Sequence, residues 1–203
     1  MVHQSTSKRK TIITIIFLMF LLALVVAFTT FAILKLLNPP SKTDDTTEPE
    51  EIMNQMNAAM SEMNENSIFV TSFIGNLDLK TGILSYSNAA HCPPVLVNET
   101  ISTLQMDANI PLGVMDWDYT RQEIHVGLDS IIFLYTDGLT EAENTTHGQF
   151  GEERMLAELK KMADATPRNL IDHILEVIQD FESGTEQSDD LTMLAIRYTK
   201  ASK

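Results

Sequence analysis

Cysteine is nearly absent: Cys92 is the only one in 203 residues. A single thiol allows neither an internal disulfide nor a cysteine cage for zinc, so the chain is not a cystine-stapled secreted module. Basic residues are scarce as well, with 14 Lys and Arg against 28 Asp and Glu and a formal charge of -14. Nucleic-acid phosphates are neutralised by stripes of Lys and Arg, and no such stripe occurs, which argues against a nucleic-acid partner. There is no internal repeat and no low-complexity tract. The acidic surplus leaves two readings, a solubilising surface or carboxylates grouped for a divalent cation. Apolar content of 44% is enough for a core, and the length suits one modest domain with an appendage.

The appendage is an apolar run. From Thr11 to Leu34 no charged residue interrupts a stretch of Ile, Leu, Phe, Val, Ala, Thr and Met. A helix needs about 20 such residues to cross the hydrocarbon core. A cleaved signal peptide has a shorter apolar region, about 7–15 residues, and a small-x-small site. The run is too long for that and closes on Lys35, Leu36 and Leu37 before Asn38-Pro39-Pro40. Residues 1–10 are then a basic flank, 11–37 a single transmembrane helix, 38–47 a polar linker and 48–198 a folded domain. Lys8, Arg9 and Lys10 favour an inside N-terminus, which would put the domain outside.

Helix signals open the domain. Thr47 and Glu50 form a capping box with Pro49 in the first turn, and Ile52, Met56, Ala59, Met60 and Met63 recur at helical spacing. Ser67 to Gly75 reads as a strand, Asp78 to Gly82 as a turn, and Ile83 to Ser87 as the returning strand of a hairpin. Tyr119 to Val126 alternates weakly as a further strand. Ser130 to Thr136 is a continuous apolar run of strand length, which predicts burial on both faces. Two amphipathic helices follow, over Glu152 to Ala163 and, capped by Thr166, over Pro167 to Phe181. Leu191 to Tyr198 is the last strand. This order predicts an α+β domain with antiparallel sheet.

Chemistry gathers in three short stretches: Asn88 to Pro94 after a strand, Tyr135 to Ala142 with Asp137 directly after a buried strand, and Gln187 to Thr192 with Asp189 and Asp190 directly before one. If the two strands are neighbours, Asp137 and Asp189 meet at a sheet rim, the placement a hard cation such as Mg²⁺ or Mn²⁺ requires. The alternative for each is ordinary: Asp-Gly as a turn, and Asp-Asp as a solvated loop.

Seven collinear motifs bear on that choice. They lie at Ile68–Thr71, Leu77–Gly82, Asn88–Pro94, Pro111–Gly113, Leu134–Ala142, Phe150–Arg154 and Gln187–Thr192. Together they resemble the bacterial branch of the PPM-type phosphatases, the group of stage II sporulation protein E (SpoIIE) and the RsbU-like regulators of stress sigma factors. The resemblance covers about three quarters of the chain. It implies an α-β-β-α sandwich that hydrolyses phosphoserine or phosphothreonine, often on an anti-sigma-factor antagonist, with two Mn²⁺ or Mg²⁺ ions. It implies Asp137 and Asp189 as metal ligands, Asp190 as a weaker one, and Gly138 as the residue that lets the backbone approach the ion. Glu141 is expected to be structural or to support the ligands from behind, and His91 to be a hydrogen-bonded turn histidine. Ala90 and Cys92 stand where the motif more commonly has Gly and Asn.

One departure weighs more. The family's domain begins with strands carrying a further aspartate pair that bridges the metals, and no acidic residue before Glu51 follows an apolar strand. The expectation is an N-terminally incomplete domain with a half-built metal site, weak or inactive, and prone to self-association. The alternatives are a non-enzymatic module that binds a phosphoprotein or an intact phosphatase, and a gene fragment. The expected location is the bacterial cytoplasmic membrane, single-pass, with the domain cytoplasmic because the implied substrates are.

Overall fold

The computed structural model describes residues 48–62, 69–185 and 189–199. The predicted transmembrane helix, Thr47 of the capping box, Met63, Ile68 and Gln187 therefore lie outside the described residues. Among the described residues no helix is long and apolar enough to cross a membrane.

Strands β1 (Ser72–Leu77) and β2 (Ile83–Ala89) form the first hairpin. Asp78 Oδ1 accepts the Lys80 N–H at 2.8 Å, and Gly82 completes the turn at φ 74. A Cβ at Gly82 would sit 2.7 Å from the Val126 carbonyl oxygen, so both conformation and space demand glycine. β5 (Gln122–His125) pairs with β2, giving a three-stranded sheet in the order β1-β2-β5. A second sheet runs β4-β3-β6-β7, from β3 (Val95–Val97), β4 (Ile101–Thr103), β6 (Ile131–Tyr135) and β7 (Met193–Arg197), antiparallel throughout. The helices are α1 (Pro49–Glu62), α2 (Glu152–Lys161) and α3 (Pro167–Glu182), with a 3₁₀ turn over Asp137–Leu139.

Alternation along the strands builds three apolar layers. Leu84 and Tyr86 of β2 meet Leu96 of β3 and Ile132 of β6 between the sheets. On the opposite face of β6, Ile131, Phe133 and Tyr135 pack with Met155 and Leu159 of α2 and Leu170, Ile174 and Ile178 of α3. Ala89 packs with Met53 of α1, Leu112 and Tyr119. The layers are helix, sheet, sheet, helices, the sandwich that the motifs imply. β6 is buried on both faces, as its unbroken apolar run predicts.

Several boundaries move. β1 begins at Ser72, not at Ser67, because Val70 instead exchanges backbone hydrogen bonds with Leu112, at 3.1 and 2.8 Å. β5 is shorter than the Tyr119 to Val126 stretch, since Tyr119 turns into the α1 layer. The short β3–β4 hairpin is absent from the sequence reading. The buried face of α1 is also rotated: it runs through Met53 and Asn57, while Ala59 is exposed. A polar residue lies at its centre because Asn57 Oδ1 accepts the Gly113 N–H at 2.8 Å and its Nδ2 donates to the Met115 carbonyl at 3.0 Å. A buried amide so satisfied carries little penalty.

Candidate metal centre

β6 and β7 are neighbours, with Tyr135 opposite Met193, so the chain leaving β6 and the chain entering β7 emerge at the same rim. Thr136 ties them together. Its N–H donates to the Thr192 carbonyl at 3.0 Å, its Oγ1 donates to the Asp190 carbonyl at 2.8 Å, and the Thr192 N–H donates to that same Oγ1 at 2.9 Å. Beyond it the 3₁₀ turn is closed by Leu139 N–H on the Thr136 carbonyl and by Thr140 Oγ1 on the Asp137 carbonyl. Asp137 Oδ1 accepts the Gly138 N–H at 3.2 Å, and Asp189 Oδ1 accepts the Asp190 N–H at 2.7 Å. Asp137, Asp189 and Asp190 are all exposed, whereas Gly138 is buried.

Gly138 lies directly against the Asp190 backbone. A Cβ there would lie 2.7 Å from the Asp190 carbonyl oxygen and 3.0 Å from its carbon. Only glycine lets the Asp-Gly turn and the Asp-Asp segment pack backbone to backbone.

The turn after β2 faces the same carboxylate. Asn88 braces it, accepting the His91 N–H at 3.2 Å on Oδ1 and donating to the His91 carbonyl at 3.1 Å from Nδ2. His91 Nδ1 lies 3.3 Å from Thr71 Oγ1. Burial pushes the His91 pKa below its ordinary value against the pull of Asp137. Burial raises the Cys92 thiol, and Asp137, Glu141 and Glu152 push the same way. The Tyr135 hydroxyl is pushed up to about 12, chiefly by burial. Ala90 sits at φ 54, in the left-handed region, at the position where the resembling motif more commonly has glycine.

Thr136 ties the Asp137-Gly138 turn to the Asp189-Asp190 segment; the Glu141 N–H donates to the Asp137 carbonyl at 2.8 Å, and His91 feels the charge of Asp137. As donors these residues suit a hard divalent cation in kind: carboxylates held at the end of a rigid sheet, beside backbone carbonyls. In number they fall short of a bridged pair, since no three His, Cys, Asp or Glu side chains among the described residues group to hold an ion. Thr136 is a positioning residue without an assigned role in the sequence reading; its signal is a hydroxyl at the last position before Asp-Gly.

The sequence matches the family described as Stage II sporulation protein E (SpoIIE) over residues 22–199, a span that takes in the second half of the apolar run. Phosphoserine phosphatase RsbU of Bacillus subtilis is 26% identical over 160 residues, 73% of this chain. The chain spans 45% of that relative's length and 22% of another curated relative's. Among solved structures, the SiaA-PP2C domain of Pseudomonas aeruginosa superposes with a TM-score of 0.67 at 21% identity, covering 74% of this chain and 61% of that one. The manganese-presoaked phosphatase domain of SpoIIE from Bacillus subtilis follows at 0.59 and 17% identity, covering 79% and 70%. Both share the sandwich fold.

Proposed function

The chain belongs to the SpoIIE family of PPM-type phosphatase domains, and from that premise we propose that it acts on phosphoserine or phosphothreonine in a partner protein. The observation that carries the reading is the Thr136 staple, which brings Asp137 and the Asp189–Asp190 segment to one rim. Asp137 and Asp189 would hold Mn²⁺ or Mg²⁺, with Asp190 as a weaker donor. Such an ion activates water and neutralises phosphoryl oxygens. The chain's own contribution is to present hard oxygen donors on a fixed sheet end and, through Gly138, to keep the two loops in backbone contact. Two strong carboxylate donors give weak binding and slow turnover for this stretch of chain.

The substrate class we propose is an anti-sigma-factor antagonist or a similar phosphoprotein, on the strength of the RsbU relative. The test is titration of the full chain with Mn²⁺ by calorimetry, beside phosphate release from a phosphoserine protein. The expected result is weak binding and slow release, both lost in Asp137→Asn. Release unchanged in Asp137→Asn, or no binding in the parent chain, overturns the assignment. The shortage of donors favours a second reading, a non-catalytic phosphoprotein-binding module. Stoichiometric capture of the phosphoprotein without any Mn²⁺-dependent release would select it.

We also propose that residues 11–37 anchor the chain in the cytoplasmic membrane as a single pass, with the domain in the cytoplasm. Run length supports the anchor. The family match begins at residue 22, so the rival arrangement has residues 22–37 packed within the domain. Alkaline carbonate extraction separates them: an anchored chain stays with the membrane pellet, and release into the supernatant sinks the anchor.

A further inference from the structure

A line of side-chain amides runs from the loop before β5 to the candidate metal rim. The β2–β5 pairing stops at Tyr86, short of the end of β2 at Ala89. Beyond it the Asn88 carbonyl accepts the Asn109 Nδ2–H at 2.9 Å. Asn109 Oδ1 in turn accepts the indole N–H of Trp117, the only tryptophan of the chain, at 3.0 Å. The two contacts fix which way this amide points, because an indole N–H only donates and a carbonyl only accepts. Asparagine joins them because it carries a donor and an acceptor on one short stem. Aspartate would lack the donor, and leucine would lack both.

Each end of the line is held. At the rim end, Asn88 is buried and uses both ends of its amide on the His91 backbone. The turn so closed carries His91 and Cys92, and both lie within the field of Asp137. At the other end, the Tyr119 hydroxyl closes the 109–119 loop by donating to the Ile110 carbonyl at 3.1 Å. α1 seats that loop at three points. Asn57 takes the Gly113 N–H and the Met115 carbonyl, and Asn54 Oδ1 accepts the Tyr119 N–H at 2.9 Å. A polar network whose members are satisfied in this way specifies one arrangement of them.

We propose that Asn109 is a positioning residue for the rim and that Trp117 supports it: together they carry the seating of α1 through Asn88 to the His91 turn. The Asn88 brace sets the shape of the turn. The Asn109 bond sets where the turn stands, since β5 gives β2 no partner past Tyr86. For the proposed phosphatase site this turn is the wall beside Asp137, so its placement sets the room left for an ion and a phosphoryl group. That consequence rests on the phosphatase reading; the placement itself does not.

The experiment uses the full chain in mild detergent. Amide hydrogen exchange, followed by mass spectrometry, compares the parent with two variants. Asn109→Leu loses both bonds without adding charge, and Trp117→Phe loses only the outer one, at an exposed position. Exchange of residues 88–92 is expected to quicken about 2–10-fold in Asn109→Leu, and by less in Trp117→Phe, with α3 unchanged. Mn²⁺ titration in parallel is expected to give an affinity weakened by a similar factor in Asn109→Leu. Faster exchange confined to residues 109–119 overturns the proposal, because Asn109 then serves its own loop alone. Faster exchange throughout, α3 included, marks a general loss of stability and overturns it as well. A turn that loosens while Mn²⁺ affinity stays unchanged overturns the link to the rim. A parent chain that binds no Mn²⁺ sinks the phosphatase reading instead, and the exchange comparison then decides the placement by itself. If Asn109→Leu does not fold, Trp117→Phe carries the comparison, and unchanged exchange of residues 88–92 in that variant overturns the relay.

Discussion

A hydroxyl and a missing side chain hold the candidate centre together. Thr136 Oγ1 serves both the Asp190 carbonyl and the Thr192 N–H, two groups more than fifty positions along the chain. Thr136→Val keeps the shape and removes both bonds; since the groups left behind reach solvent, the loss is about 0.5–1.5 kcal/mol. The expected outcome is a lower thermal midpoint together with weaker Mn²⁺ binding. A fall in midpoint with unchanged binding would make Thr136 a structural group only. At Gly138 an added methyl collides with backbone at 2.7 Å, so Gly138→Ala is expected to part the loops and weaken binding further. Ala90 is the opposite case. At φ 54 it holds an L-residue in a conformation that costs about 1–2 kcal/mol. Ala90→Gly relieves that strain but frees the unfolded chain, so the net gain expected is about 0.5–1 kcal/mol, read as a higher midpoint in thermal melts. A lower midpoint would show that the left-handed turn is not populated.

Among the elements, α2 and α3 meet through a charged link as well as an apolar one. Glu158 on α2 lies 2.6 Å from Lys161 Nζ and 2.9 Å from His173 Nε2 on α3. The hydrogen bond from Lys161 holds its carboxyl below the ordinary value, with His173 adding to it against the cost of burial. A depressed folded pKa means stability that is present above the unfolded carboxyl value and is lost as pH falls through the folded one. Glu158→Gln is therefore expected to lower stability by about 0.5–1 kcal/mol at neutral pH, with parent and variant converging as pH falls through the lowered folded value. Urea titrations in steps from neutral pH into the acid range check it; a gap that stays constant throughout assigns the loss to packing. At α1 the element-scale lesson is Asn57. Its apolar neighbours in sequence outline a methionine face, but the amide seats the helix by clasping the 113–115 loop.

For the whole molecule the lone thiol is the reporter that tests the proposed membrane orientation. Cys92 is partly exposed, and burial with three neighbouring carboxylates raises its pKa, so little thiolate forms near neutrality. Labelling by a membrane-impermeant maleimide in intact cells is expected to fail under the proposed cytoplasmic placement of the domain, and to succeed after lysis at pH 8.5. Labelling before lysis would put the domain outside, as the basic N-terminal flank predicts. The lysed control is what keeps a slow thiol from passing as a hidden one.

Much of this molecule was legible along the chain. Periodicity placed β2, β6, β7 and all three helices near their observed ends, because amphipathic spacing and caps such as Thr166 act over a few residues. Its hydroxyl accepts the Asn169 N–H at 3.2 Å. Ordered motifs named the family, because turns built on Asp-Gly and Asn-x-x-His are local in sequence. Tertiary structure alone decided the rest. Which face of α1 is buried depended on a loop fifty-six positions from Asn57. Why position 138 is glycine depended on the Asp190 carbonyl. That Leu194 and Ile196 lie open depended on where the other sheet stops, since an alternating strand reads the same whether or not a second sheet covers it.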